Sequence, residues 1–163
     1  MAFFEVGGGL RDIWVMTAND RSVQPFLATR FNEGAASFSP DGRWLAYVSN
    51  ESGRPEIYVQ PYPGPGGKWQ ISTAGANFGA WGEGGRSLLY GDLDGKIFAV
   101  DVTPKGPYLT IGPPRPVFGG RSVAGTGAFS RDGRRVLLVD PSEEAASSSL
   151  VLTTDWTQAL PRE

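Results

Sequence analysis

Asn32 and Glu33 stand in "ATRFNEG", Asn77 in "TAGAN" and Arg121 in "GGRSVAGT", three loop-like stretches that each precede a short apolar run. A carboxylate flanked by carboxamide oxygens is a hard donor set, suited to a divalent cation such as Ca, Mg or Mn. Such an ion could polarise an ester or phosphoryl oxygen and activate water. In that chemistry Glu33 would be the catalytic residue. Glu33, Asn32 and Asn77 would hold the ion, and Asn32, Asn77 and Arg121 would bind the ligand. The plainer role of Asn32, Glu33 and Asn77 is to cap turns and hydrogen-bond the backbone, which short polar side chains do routinely.

Other chemistries are excluded by composition. The 163 residues contain no His and no Cys. No Ser-His or Cys-His nucleophile pair can form within this chain, nor a His-ligated zinc site or a disulfide. The net charge of −2 gives no electrostatic case for nucleic acid or an anionic membrane. "DLDG" (Asp92 to Gly95) lacks the later ligands of a calcium loop and reads as a hairpin turn. "GGG" at Gly7 and "PGPGG" at Pro63 are not followed by Gly-Lys-Ser/Thr, so they are loops rather than phosphate cradles. "GGRSVAG" around Ser122 is no nucleophile elbow, and Arg134 and Arg135 read as a solvated strand start. Trp14, Trp44, Trp69 and Trp81 fall at strand positions and read as core.

The elements that must position these residues repeat. "FSPDGRWLAYVSN" (Phe38 to Asn50) returns in blurred form as "WGEGGRSLLYGD" and "FSRDGRRVLLVD". The turn glycines Gly42, Gly85 and Gly133 lie 43 and 48 residues apart. A period in the forties, with 23 Gly, 13 Pro and short β-branched or aromatic runs, predicts propeller blades of four antiparallel strands. Strand A precedes the turn and strand B follows it. "DIWVM", "EIYVQ", "KIFAV" and "SLVLT" are third strands, while "VQPFLA", "KWQIST" and "RPVF" are outer fourth strands, where Pro25 and Pro116 are tolerated. Pro40 suits the second position of the A–B turn. Glu83 and Gly84 replace Pro40 and Asp41 in the next repeat, so that turn must rely on glycine. The blade pieces cover about 3–30, 35–73, 77–118 and 126–156 of one domain spanning 1–163, with "FFEV" a stub of strand B in the first.

The FSPDGR-type turn followed by an L-A-Y strand resembles the TolB-like, or PD40, propeller repeats. The resemblance covers nearly all of residues 12–156, and it is strongest to propeller segments attached to bacterial serine/threonine kinases and transcriptional regulators. It implies a WD40-like all-β propeller, usually a six-bladed ring acting as a sensor or interaction module. Some relatives are peptidase or hydrolase domains. No kinase domain is present, so kinase activity does not carry over. The chain is about half the length of such a ring, a partial ring of three to four blades.

An open arc exposes sheet edges and apolar faces. Two copies are therefore expected to close one six-bladed ring, less readily an eight-bladed one. In a propeller the D–A and B–C loops share one face. Here that face carries Glu33, Glu51, Asp92, Asp94, Asp140, Glu143 and Glu144 against Arg30, Arg54 and Arg121. The expected function is a binding or scaffold module presenting an acidic channel mouth to a protein, peptide or small ligand. The alternative is a divalent-metal hydrolase of esterase, lactonase or phosphotriesterase type, with Glu33 duplicated across a two-fold. No apolar run spans a membrane and "MAFFEVGGG" is no signal peptide, so the chain as given is expected in the cytoplasm, without membrane or nucleic-acid partners.

Overall fold

The computed structural model describes residues 1–7, 9–117, 128–129, 135–138 and 151–154. Arg121, Ser122, Arg134, Asp140, Glu143 and Glu144 lie outside them. The strands form four antiparallel sheets in chain order. The first holds β1 (Ala2–Gly7), β2 (Leu10–Met16) and β3 (Val23–Leu27). The second is β4 (Glu33–Phe38), β5 (Trp44–Ser49), β6 (Glu56–Pro61) and β7 (Trp69–Gln70). The third contains β8 (Phe78–Trp81), β9 (Ser87–Gly91), β10 (Ile97–Lys105), β11 (Tyr108–Ile111) and β12 (Arg115–Pro116). The last contains β13 (Ala128–Phe129), β14 (Arg135–Leu138) and β15 (Val151–Thr154). Among the described residues no helix is long and apolar enough to cross a membrane.

The middle blade explains its own sequence. β5 reads WLAYV because both of its faces are covered. Trp44 and Ala46 join a core with Leu88, Tyr90, Val100 and Val102 of the third sheet. Leu45 and Tyr47 point the other way, into a cluster with Ile13 of the first sheet. β6 follows the same alternation: Ile57 and Val59 face the third sheet, and Tyr58 faces the first. Side chains alternate across a strand, so a blade between two blades must be apolar at successive positions. Trp44 and Trp81 are buried, and the Trp81 indole donates to the Ser37 carbonyl at 3.0 Å. Trp14 and Trp69 are half-buried, and Trp69 meets Trp44 edge-on.

The A–B turn closes by local bonds. Gly42 N–H donates to the Ser39 carbonyl at 2.8 Å, and Trp44 N–H donates to Ser39 Oγ at 3.0 Å. Gly42 takes φ +71°, which a residue with a Cβ adopts at a cost. In the following repeat the turn is a single 3-10 turn, Glu83–Gly85, with Gly84 and Gly85 both at positive φ, so glycine does replace the Pro-Asp pair.

The expectation of four strands per blade needs correction. The third sheet has five strands, and the first has a paired β1 of six residues in place of a stub. β10 runs on past its pairing with β9 and β12. Its extension Val102–Lys105 turns back through Gly106 to pair with β11. Val102 and Leu109 are buried while Thr103 and Thr110 are exposed. That alternation holds the hairpin against the blade.

Candidate functional site

The inner strand of the middle blade is irregular near its start. Glu33 pairs with Ser49 and Gly34 with Val48, but the next pair is Ser37 with Ala46. This bulge places Ala35 at φ +48°, a left-handed conformation that costs an L-residue roughly 1–2 kcal/mol. Such strain persists only where surrounding structure imposes it.

Here the surroundings are a net of side chain to backbone bonds. Asn50, which follows β5, accepts from Asn32 N–H at 2.8 Å through Oδ1. Its own N–H donates to the Asn32 carbonyl at 3.3 Å. Asn32 Oδ1 accepts from the backbone N–H of Arg11 on β2 at 3.2 Å, tying the first sheet to the loop before β4. Thr29 accepts from Phe31 N–H at 3.1 Å and donates its hydroxyl to Glu33 Oε1 at 2.6 Å.

These bonds bound a cavity of about 600 Å³ lined by Arg11, Asn32, Glu33, Val48, Asn50 and Asn77, with Pro55 and the backbone of Gly9, Gly34 and Ala35. Three of the four residues singled out from sequence, Asn32, Glu33 and Asn77, thus line one space. The fourth, Arg121, lies outside the described residues. Glu33 is only 1% exposed. Its Oε1 is satisfied by Thr29, but its Oε2 is buried without a hydrogen-bond partner among the described residues. A buried acceptor left unpaired is costly. Burial pushes the Glu33 carboxyl above its ordinary range. The Thr29 hydroxyl pulls it down, Asp12 and Glu51 push it further up, and Lys68 counters them.

Sequence reasoning passed over Arg11 and Asn50. Asn50 sits in the loop after strand B, and its place on the same face was the available signal. Arg11 follows the β1–β2 hairpin, which becomes a mouth loop only once β1 is a full strand.

For a metal ion the oxygens are partly committed. Asn32 Oδ1, Asn50 Oδ1 and Glu33 Oε1 each accept a protein donor already. Among the described residues no three acidic side chains converge. Glu51 is ion-paired with Lys68. Asp92 folds its Oδ1 back onto Asp94 N–H at 2.9 Å and Lys96 N–H at 2.7 Å, the hairpin turn expected of DLDG.

Among the described residues, four antiparallel sheets in chain order, with inner strands β4 and β8 in contact and neighbouring blade faces packed on one another, define a β-propeller arc. Solved structures agree. TolB from Acinetobacter baumannii is similar at TM-score 0.60 and 18% identity, over 95% of this chain and 38% of that one. The β-propeller domain of Cps50 (Swd1) from Myceliophteria thermophila is similar at TM-score 0.54 and 17% identity, over 89% and 53%. A candidate 6-phosphogluconolactonase from Bacteroides uniformis gives TM-score 0.53 and 14% identity, over 93% and 52%. The chain therefore spans about half or less of these three propellers. At these identities the likeness establishes the fold. No protein-family profile and no curated protein matches the sequence.

Proposed function

We propose that the chain is a β-propeller binding module whose ligand site is the cavity at Glu33, open to a protein, peptide or small molecule. The observation that carries this reading is the cavity of about 600 Å³ whose wall brings together Asn32, Glu33, Asn50 and Asn77. A space that size holds far more than one water, and its lining mixes carboxylate, carboxamide and guanidinium side chains with Val48 and Pro55. Propeller neighbours include both TolB and a candidate lactonase, so the fold serves either a binding or a catalytic reading.

The test is a ligand screen by amide NMR on the native chain and on Gly34→Leu. A Cβ at Gly34 meets only the Arg11 side chain, at 4.0 Å, so a side chain can start from this wall of the cavity without displacing backbone. Ligands that shift Asn32, Gly34 and Asn77 in the native chain and lose binding in Gly34→Leu support the reading. A screen in which every ligand binds both proteins equally overturns it.

The second reading is a hydrolase in which a Ca, Mg or Mn ion sits on Glu33, Asn32 and Asn77. It is favoured by Glu33, Asn32 and Asn77 lining one cavity. Ester, lactone or phosphotriester hydrolysis that is lost in chelator and in Glu33→Ala supports it. Activity unaffected by both removes it. Closure of the ring by a second copy of this chain belongs to both readings.

A further inference from the structure

We infer that the cleft between β3 and the segment leaving β6 is a binding site separate from the Glu33 cavity, and that it takes a proline-rich peptide in the polyproline II conformation. The cleft holds about 370 Å³ and shares no lining residue with the Glu33 cavity. One wall is β3 of the first sheet, and the other is the end of β6 with residues 61–66.

Strand pairing aims two carboxamides into this cleft. Gln24 sits opposite Val15 on β2, and Gln60 sits opposite Leu45 on β5. Cross-strand partners share a face. Leu45 faces the first sheet, and the buried Val15 lies on the Ile13 face that meets the second, so Gln24 and Gln60 each point toward the other's sheet. Tyr47 is buried, and its hydroxyl donates to Gln60 Oε1 at 3.0 Å. Burial pushes that phenol well above its ordinary range and keeps it protonated. Gln60 therefore keeps its oxygen on Tyr47 and has its NH₂ to offer. The Gln24 carboxamide and the Tyr62 hydroxyl also line the cleft, without a side-chain partner among the described residues. Phe26 and Tyr62 meet across the two sheets at 5.8 Å, and Phe38 packs edge-on to Tyr62 at 4.9 Å. A Cβ on Gly66 would lie 2.3 Å from Pro61 Cγ, so the segment folds directly onto the end of β6 and closes that wall.

The occupant follows from what the lining offers and lacks. No Asp, Glu, Lys or Arg lines the cleft, so a charged ligand would lose water there without gaining a counter-ion. An uncharged lining is complementary to an uncharged chain. The polar groups on offer, two carboxamides and a phenol, can all donate. A polyproline II segment makes no internal hydrogen bonds, so its carbonyls call for donors. Proline carries no N–H that would be left unmet. Its rings pack on aromatic faces, here Phe26 and Tyr62, which both stay half-buried at the cleft wall. The helix is extended before it binds, so little chain entropy is lost.

The experiment is calorimetric and amide NMR titration of the native chain with acetyl-hexaproline amide. The control is an acetylated, amidated hexapeptide of alternating alanine and serine, which is equally uncharged. Hexaproline should shift the amides of Gln24, Phe26, Gln60 and Tyr62 and bind about five-fold or more tightly than the control. Tyr62→Phe keeps the ring that packs on Phe26 and Phe38 and removes only the hydroxyl. It should weaken hexaproline about three-fold or more, and so should Gln24→Glu at its exposed position. Hexaproline that binds no better than the control overturns the inference, as does binding undiminished in either variant. Shifts confined to Asn32, Gly34 and Asn77 would put the peptide in the Glu33 cavity, overturning this inference while leaving the proposed ligand site standing. Cleft shifts that grow with protein concentration alone would put a second copy there and overturn it as well.

Discussion

At the residue scale two buried glutamates of one sheet, Glu33 on β4 and Glu56 on β6, do different things. Glu56 is 1% exposed and fully engaged: it accepts from Ser72 Oγ and from Gly75 N–H, and Ser72 Oγ in turn accepts from Ile57 N–H at 2.9 Å. It ties strand β6 to the segment after β7. Removing it leaves buried donors unmet, so Glu56→Ala should lower stability by roughly 2–3 kcal/mol, read from urea unfolding. Glu33 is equally buried but half-satisfied. Its ionised form is disfavoured in the folded chain, so the unfolded chain releases this proton first as pH rises. Stability from this group is therefore full below its ordinary value of 4.5 and falls as pH climbs through the higher folded value. Glu33→Gln should remove that loss. Its stability relative to the native chain should rise between pH 4 and pH 8 in urea titrations, and an offset that is the same at both pH values would contradict this.

At the scale of elements, the site depends on how β8, β9 and the bulged β4 meet. Gly91 ends β9 where Asn77 N–H donates to its carbonyl at 3.1 Å. A Cβ there would lie 2.2 Å from Cε1 of Phe78, the first residue of β8. Gly91→Ala should therefore push the Phe78 ring aside and cost roughly 1–3 kcal/mol, visible as a lowered melting temperature. The displacement starts one residue from Asn77, so the same variant should also perturb ligand binding at the cavity. Much at this scale was legible beforehand. The SPDG turn, the alternation in EIYVQ and the outer-strand prolines each carry a local physical signature. The β10–β11 hairpin was missed because its alternation is short and follows directly on a strand that already had two partners. The bulge at Ala35 was missed because nothing in "NEGAASF" requires it; the Asn32–Asn50 and Asn32–Arg11 bonds impose it from neighbouring segments.

At the scale of the whole molecule, the middle blade is covered on both faces by its neighbours. By the same geometry, a terminal blade of an arc keeps one face without a blade beside it. Large apolar faces and open sheet edges drive association. Light scattering on a sizing column should return a mass near twice 17.4 kDa for this chain. A mass near 17.4 kDa would show the arc stable alone and remove the two-fold metal arrangement with it.

By itself the sequence determined the repeat, the all-β architecture and the face on which Asn32, Glu33 and Asn77 would stand. Those follow from periodicity and turn chemistry, which act over a few residues at a time. Tertiary structure decided which oxygens at that face are still unengaged. Thr29 takes one Glu33 oxygen, and the backbone of Arg11 takes the Asn32 oxygen from 21 residues away. Burial then leaves Oε2 without a hydrogen-bond partner among the described residues. That distribution depends on how two blades pack, because satisfying a buried polar atom is a property of its surroundings in space, not of its neighbours along the chain.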